Sequence, residues 1–313
     1  MLSIDVGSRY IKIISGRPSA GSINVKAAIT VPSPKGMIDN GIVTDPELAA
    51  EAIRLALDDA GITDSQATAV ITSPAIITRE IRFPRTSKKN ARSIISHEAD
   101  ALLGDGDYYI DYFLQDHHQN GKMRAFIFAL PTGIIATYKK MLSLAGLTPF
   151  SLDIGPNAIR KLIGSIGILN SIPKEEISIV TDCGYNYMHF TIFLYDKLIY
   201  ARSIKADLPQ HVKEAAEDAL ETGEGFSDDA FSDLVSGLGD EILKILRFLA
   251  SSDYKEHVSN VLLCGGLSGV DGLSEALSEY LYTDVSTINA RKKLSSLANY
   301  REYINALGAQ IRL

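Results

Sequence analysis

Apolar and polar residues alternate along the first part of the chain with the periods of strands and helices. A helix is predicted to begin at Thr44 or Asp45 and to end at Gly61, because Pro46 suits a first turn and apolar residues follow at helical spacing. Strands are predicted where β-branched residues are concentrated, at 2–6, 10–16, 23–31, 67–73 and 76–83. The pattern therefore predicts a mixed α/β fold in which a helix packs on a sheet.

The middle of the chain has a pattern of its own. Helices are predicted there at 87–103 and 132–145, and two strands between them at 108–115 and 122–130. We interpret residues 80–150 as a compact α+β insertion. Its leading edge is basic and carries Arg79, Arg82, Arg85, Lys88, Lys89 and Arg92. A solvated face is the simple interpretation of these cations, and a surface for an acidic partner or for anionic lipid headgroups is the alternative.

Composition excludes several classes of protein. A chain of 313 residues with 46% hydrophobic residues is long enough for two domains. Its net charge of −7 argues against a nucleic-acid binder. The two cysteines, Cys183 and Cys264, are far apart, which indicates neither a disulfide framework nor a zinc site. No apolar run approaches the length of a membrane span, so we expect no direct membrane insertion.

An internal repeat carries the first candidate chemistry. An apolar strand ends in Asp5-Val6-Gly7 near the start of the chain, and another ends in Asp182-Cys183-Gly184 after the midpoint. Repeats of this kind predict two similar lobes. If the two turns face each other, their backbone N–H groups can bind phosphates, and the two aspartates can hold Mg²⁺ through its waters. Lys12 would then compensate the charge of Asp5.

A third motif follows near the end of the chain. Residues 259–277 predict a buried strand, a turn at Gly265-Gly266 and a helix that begins near Gly269-Val270. Glycine lets a backbone approach a ligand closely, and a helix N-terminus suits a phosphate. Each motif is weak alone, but their order and spacing together are specific.

These three motifs resemble the two phosphate motifs and the adenosine motif of the superfamily that contains actin, sugar kinases and heat-shock chaperone ATPases. The insertion between the phosphate motifs is similar to that of the FtsA and PilM branch, and the PilM family is the better match. The loop 36–42, Phe83-Pro84, Ala145-Gly146-Leu147 and 306–309 also fit that family. The resemblance implies an actin-like, ribonuclease H-like duplicated fold of two lobes with an α+β insertion.

The resemblance also implies a division of the chain and a set of site residues. The first lobe would comprise residues 1–79, to which 151–175 and a C-terminal helix 299–313 return. The insertion would comprise 80–150, and the second lobe 176–298. ATP with Mg²⁺ would bind between the lobes. Its implied contacts are Asp5, Gly7, Ser8, Arg9, Lys12, Asp182, Gly184, Tyr185, Asn186, Gly265, Gly266, Leu267 and Ser268. Asp5 and Asp182 would hold the metal through water.

Three departures from the family pattern bear on nucleotide binding. Ser203-Ile204 follows Arg202 where a Gly-Gly pair is usual, and Tyr185 replaces a small residue after the second turn. The stretch 214–241 contains no lysine or arginine, so the Ala-Glu-x-x-Lys box of FtsA is missing. These departures predict weakened or lost nucleotide binding on a retained fold.

The resemblance implies a cytoplasmic scaffold of type IV pilus or related secretion assembly, at most a weak ATPase. Its implied partner is the cytoplasmic N-terminal peptide of a PilN-like inner-membrane protein, which would recruit it to the inner face of the membrane. Self-association is a further implied property. A small-molecule phosphotransferase of the sugar or acetate kinase branch is the alternative, and it needs a catalytic base. No Asp or Glu stands in a recognisable kinase context.

Overall fold

The computed structural model describes residues 1–19, 22–116, 122–167, 176–222, 225–252, 257–289, 294 and 297–312. The segment 117–121, between the predicted strands 108–115 and 122–130, and part of the segment 151–175 lie outside these residues. The strands are β1 (Leu2–Val6), β2 (Tyr10–Ser19), β3 (Ser22–Pro32), β4 (Ile38–Asp39), β5 (Ile42–Val43), β6 (Gln66–Ile71), β7 (Ile77–Pro84), β8 (Tyr108–Asp116), β9 (Lys122–Pro131), β10 (Thr148–Ile154), β11 (Ile177–Cys183), β12 (Tyr187–Leu194), β13 (Lys197–Lys205), β14 (Val258–Cys264) and β15 (Asp284–Thr287).

Eight helices accompany these strands in the described part of the chain. They are α1 (Pro46–Asp59), α2 (Lys88–Leu103), α3 (Thr132–Leu144), α4 (Gly155–Ile166), α5 (Gln210–Thr222), α6 (Asp228–Ser251), α7 (Leu273–Leu281) and α8 (Ile304–Gln310). The predicted start of α1 is confirmed, because the side chain of Asp45 caps the helix by accepting from the N–H of Leu48.

Two five-stranded sheets have the same topology, as the internal repeat predicts. Their strand orders are β3-β2-β1-β6-β10 and β13-β12-β11-β14-β15. In each sheet the central strand pairs antiparallel with the next strand of the chain and parallel with a later one. The predicted two-lobed α/β fold is confirmed.

The insertion contains a third, smaller sheet of three strands, and one helix. Its sheet has the order β7-β9-β8, and α2 covers one face with Ala91 and Ile95 packed against Ile81, Phe83 and neighbouring strand residues. The other face places Phe126 and Phe128 in the core that the two lobes share.

Helix α3 differs from the sequence interpretation, which grouped it with the insertion. Its buried residues Ile134, Tyr138, Met141 and Leu142 belong to the core of the first sheet, together with α1. The apolar face of α3 therefore packs on the first lobe. The face of the insertion sheet that α2 does not cover cannot receive α3, because that face is already buried in the shared core.

Helices α4 and α8 cross between the lobes. Gly308 allows the crossing, because a Cβ atom at this position would lie 2.0 Å from the carbonyl oxygen of Ala158. Leu162 of α4 and Leu307 of α8 are fully buried in the shared core. This close packing brings the last helix of the chain to the interface between the lobes, where it reaches the candidate site.

Candidate functional site

The two predicted phosphate turns have the same geometry. The N–H of Gly7 donates to the carbonyl of Tyr10 at 3.0 Å, and the N–H of Gly184 donates to that of Tyr187 at 3.0 Å. A Cβ atom would lie 2.9 Å from the first carbonyl oxygen and 2.6 Å from the second. Both positions therefore need glycine, because the returning strand crosses too closely for a side chain.

The structure brings the two predicted carboxylates together. Asp5 is the residue before the last of β1, Asp182 is the residue before the last of β11, and both side chains are buried. The amide nitrogen of Asn305 donates to Asp182 at 2.8 Å and lies 3.3 Å from an oxygen of Asp5. One small group thus bridges both carboxylates, which places the two lobes' aspartates in a single cluster.

Asp5 carries a charge that the protein compensates incompletely. Its pKa is raised from 3.8 to about 6. Burial is the largest cause, the positive charge of Lys12 opposes it, and the negative charge of Asp182 adds to it. One oxygen of Asp5 is buried without a hydrogen-bond partner among the described residues. A bound cation would satisfy that oxygen and lower the pKa.

The partner across the strand pair differs between the lobes. Lys12 lies opposite Asp5 in the β1–β2 pair, whereas His189 lies opposite Asp182 in the β11–β12 pair. His189 is buried, and Ser203 holds its Nδ1 at 2.8 Å. Burial lowers the pKa of His189, so the imidazole is neutral at pH 7. The first lobe therefore supplies a cation opposite its aspartate, and the second lobe supplies none at this position.

Arg9 and Tyr185 have contacts that the sequence did not predict. The Arg9 guanidinium pairs with Glu217 of α5 at 2.6 Å and lies 5.3 Å from the centre of the Tyr185 ring. The Tyr185 hydroxyl donates to the same carboxylate of Glu217. These contacts join the turn of the first lobe to α5 of the second across the mouth of the cleft.

The third motif forms part of the wall of the cleft. Gly265 has φ +87°, and a Cβ atom there would lie 2.2 Å from an oxygen of Asp182. A 3₁₀ turn at Gly266–Gly269 follows, in which the hydroxyl of Ser268 donates to the carbonyl of Gly265 at 2.6 Å. The predicted helix begins later than expected, at Leu273, because this turn and Gly272 in a left-handed conformation intervene.

Two adjoining cavities follow from this arrangement. One of about 80 Å³ is lined by the two turns, both aspartates, Lys12 and Asn305. A larger one, of about 650 Å³, lies between α5, α6 and the 3₁₀ turn and is lined by Phe226 and Phe231 among others. Gly266 and Leu267 line both cavities. Together they form a cleft with a small polar end and a wider, partly aromatic end.

Most of the site residues predicted from sequence lie at this cleft, and three do not line its polar end. Asn186 uses its carbonyl to accept from the N–H of Ala206, while Gly265 and Ser268 stabilise the turn behind the lining. Sequence reasoning missed Asn305 and Glu217. Asn305 had a weak signal, since it is a polar residue next to the apolar motif 306–309.

The donor set of the cleft suits a hydrated magnesium ion. Within the described part of the chain, no group of three or more His, Cys, Asp or Glu residues could hold a metal directly. Two convergent carboxylates with one unpartnered buried oxygen instead fit an ion that keeps most of its waters.

A separate groove lies between the first lobe and the insertion. Its volume is about 730 Å³, and two edge strands, β8 and β10, contribute to its walls. The β10 register shifts between Pro149 and Ser151, so Phe150 is an extra residue and stands 45% exposed. Tyr109 of β8 is 59% exposed in the same groove. The groove thus combines the outer strands of two sheets with exposed aromatic rings.

The cations of this groove are not those of the basic edge singled out from the sequence. Arg79, Arg82 and Arg85 are absent from its described lining. Arg82 bonds to Glu80 on the strand β7, which is the far edge of the insertion sheet. The groove is lined instead by Lys139, Arg160, Lys161 and Arg312. Against these stand the carboxylates Asp111 and Asp153, of which Asp153 pairs with Lys161 at 2.6 Å.

No helix among the described residues is long and apolar enough to cross a membrane. No protein among the curated proteins matches the chain. Among solved structures, it is similar to the PilM–PilN type IV pilus biogenesis complex, with a TM-score of 0.80 and 19% identity over 99% of this chain and 97% of the other.

Two further solved structures share the fold. The ethanolamine utilization protein EutJ of Carboxydothermus hydrogenoformans has a TM-score of 0.58 and 14% identity, covering 99% of this chain and 88% of that one. An MreB of Spiroplasma citri bound to AMPPNP has a TM-score of 0.50 and 8% identity, covering 99% and 94%. A family model described as type IV pilus assembly protein PilM matches residues 3–304. The chain therefore belongs to the family of the type IV pilus assembly protein PilM.

Proposed function

We propose that this protein is an actin-like scaffold of type IV pilus assembly that docks the cytoplasmic N-terminal peptide of a PilN-like inner-membrane protein. The groove between β8 and β10 is the observation that carries the proposal. A protein of the same family has been solved in complex with PilN. This chain offers a groove of suitable size and chemistry for such a segment.

An extended peptide is the ligand that suits two strands at the edges of their sheets. It can add as a strand to β10 or β8, with main-chain hydrogen bonds for affinity. Phe150 and Tyr109 would receive apolar side chains of the peptide, since both rings are exposed in the groove. Four cations against two carboxylates favour a peptide that carries acidic side chains.

We further propose that the cleft binds a nucleotide with Mg²⁺, which would supply a charged ligand that holds the lobes together. Asp5 and Asp182 would hold the hydrated ion and Lys12 would contact the phosphates. The N–H groups of Gly7 and Gly184 are occupied within their turns, so those of Ser8 and Tyr185 are the next donors along the chain. The wider cavity beside Gly266 would receive the nucleoside.

Fluorescence anisotropy with a labelled N-terminal peptide of the pilus inner-membrane partner tests the docking proposal. Phe150→Glu should weaken binding at least tenfold, about 1.4 kcal/mol, because it replaces an apolar contact with a charge that repels an acidic peptide. Tyr282→Glu is the matched control, since Tyr282 is 95% exposed on the second lobe and should leave affinity unchanged. Equal affinity of the Phe150 variant and the wild type would refute docking in this groove.

A further inference from the structure

Five cations lie together at one end of the insertion. They are Arg85, Lys88, Lys89, Arg92 and Lys122, all of them exposed, and we call this cluster the basic tip. Pro84 pairs with Lys122 at this end of the sheet, whereas Ile77 pairs with Ala129 at the end that joins the first lobe. The basic tip therefore stands at the end of the insertion opposite its connection to the lobe.

None of the five residues of the basic tip forms an ion pair with another residue that the structure describes. The Nε of Arg92 donates a hydrogen bond to the hydroxyl of Tyr112 at 3.1 Å. By contrast, Arg82 and Arg124 of the same sheet lie beside Glu80. The tip thus concentrates positive charge, without an ion pair among the described residues, on a chain whose net charge is −7.

The position of Lys88 and Lys89 is also unfavourable for the helix. Ser87 caps α2, and these two lysines fill its first turn, which contains no acidic residue. Cations at a helix N-terminus oppose the helix dipole, so carboxylates are the residues that stability alone would favour there. An anionic partner would reverse this repulsion, because it meets both the lysines and the positive end of the helix.

We infer that the basic tip binds the anionic headgroups of a phospholipid bilayer. Clusters of four to eight Lys and Arg residues on a helix bind anionic membranes through summed, non-directional attraction. Exposed large apolar side chains, which a protein interface uses at its centre, are absent from the described residues of the tip. A charged bilayer satisfies such dispersed cations without a shaped pocket.

The tip adjoins the peptide groove in a way that suits a membrane-facing surface. Lys88 and Arg92 share a shallow depression with Asp111 and Tyr112, and both of these residues also line the groove. A peptide that leaves the bilayer would then enter the groove beside the surface that rests on the headgroups. This orientation rests on the proposed function, whereas the lipid contact itself does not.

Vesicle flotation of the full chain, without any peptide, tests the lipid contact. The vesicles are phosphatidylglycerol with phosphatidylcholine, or phosphatidylcholine alone, at low and at high salt. The test variant carries Lys88→Glu with Lys89→Glu, which should fold well because the helix dipole favours acidic residues at these positions. The matched control carries Lys26→Glu with Lys35→Glu, an equal change of charge at two exposed residues of the first lobe.

We expect the wild type to float with anionic vesicles at low salt only, and not with neutral ones. The tip variant should lose at least about tenfold in vesicle affinity and the control less than about twofold. Absent binding by the wild type, or equal loss in both variants, would overturn the inference. So would a tip variant that keeps lipid binding but loses binding to an acidic protein, since the tip would then be a protein interface. Because no peptide is present, failure here leaves the docking proposal to its own test.

Discussion

The cleft and the groove of this protein differ in size and in the way their charges are arranged. The polar end of the cleft measures about 80 Å³ and holds two buried carboxylates, one with a raised pKa. The groove measures about 730 Å³ and offers strand edges, exposed rings and accessible cations. The cleft is therefore suited to a small charged ligand that holds two lobes together, and the groove to a polypeptide segment. This difference favours a scaffold that a nucleotide stabilises over a phosphotransferase.

One helix is common to both regions. Asn305 of α8 lies between the aspartates of the cleft, while Ala309 at the other end of the same helix lines the groove. Damage to the packing of α8 should therefore affect both regions, and local changes should affect only one.

Gly308→Ala should lower the free energy of unfolding by about 3 kcal/mol, because the new Cβ would collide with backbone at Ala158. Mg-ATP binding and peptide binding should both be lost as α8 shifts. Urea denaturation and two titrations measure this. Gly164→Ala on α4 is the matched control, since its Cβ meets nothing within 4 Å and should be neutral or slightly stabilising. Separate loss of one binding activity would disprove the shared role of α8.

Asp5→Asn should stabilise the free protein by about 2 kcal/mol at pH 7.5 while it weakens Mg-ATP binding by about 1–3 kcal/mol. The pKa of Asp5 is raised from 3.8 to about 6, so the folded state holds its proton more tightly than the unfolded state. The free energy of unfolding of the wild type should therefore decrease as the pH rises from about 4 to about 6. The stability gained by the variant should vanish below about pH 4. Chemical denaturation across pH measures the effect.

Asp64→Asn is the control for that pH profile, with the opposite sign. Hydrogen bonds from the N-terminal amine and from Ser15 lower the pKa of Asp64. Its stabilisation is therefore present at neutral pH and lost as the pH falls, so the variant should be the less stable protein at pH 7.5. A wild-type profile that Asp5→Asn leaves unchanged would mean that Asp5 is solvated in the folded state.

Asn305→Ala should destabilise the protein by about 1–2 kcal/mol, because two buried carboxylates lose a shared donor and repel each other. Millimolar Mg²⁺ should restore part of that stability by screening the pair, which a thermal-shift assay can follow. Asn157→Ala is the matched control in the groove, where Asn157 donates to Asp153 at 2.8 Å beside Lys161. Equal rescue of both variants by Mg²⁺ would show that the ion acts non-specifically.

The pair of Arg9 and Glu217 should contribute least. Its side chains are 26% and 37% exposed, so a double-mutant cycle with Arg9→Gln and Glu217→Gln should give a coupling energy of about 0.5 kcal/mol. Equilibrium unfolding in urea measures it. A coupling above about 2 kcal/mol would indicate that this contact, and not the core around α4 and α8, holds the cleft closed.

Local patterns predicted the fold well because each copy of the internal repeat consists of residues that are adjacent in the sequence. Strand, Asp-x-Gly and returning strand occupy neighbouring residues in each lobe, so Asp5 and Asp182 could be placed at equivalent turns. The third motif was placed less accurately, since Gly272 at the start of α7 has a left-handed conformation that periodicity does not show.

Contacts between distant segments escaped prediction. Asn305 is brought to Asp5 only by the packing of α8, across almost the whole chain. The groove depends on which strands become sheet edges, and β8 and β10 take that role only after three-dimensional assembly. Helix α3 illustrates the same limit, because its amphipathic pattern fits either the insertion or the first lobe and only packing decides.

Hydrogen exchange of backbone amides, with and without the partner peptide, shows whether the peptide binds in the groove. We expect new protection in β10 or β8, where edge N–H groups would gain hydrogen bonds, and no change in β1 or β11 beside the cleft. Addition of Mg-ATP should protect the turns after Asp5 and Asp182 and leave the groove edges unchanged. Peptide-induced protection confined to the cleft or to the second lobe would contradict the account.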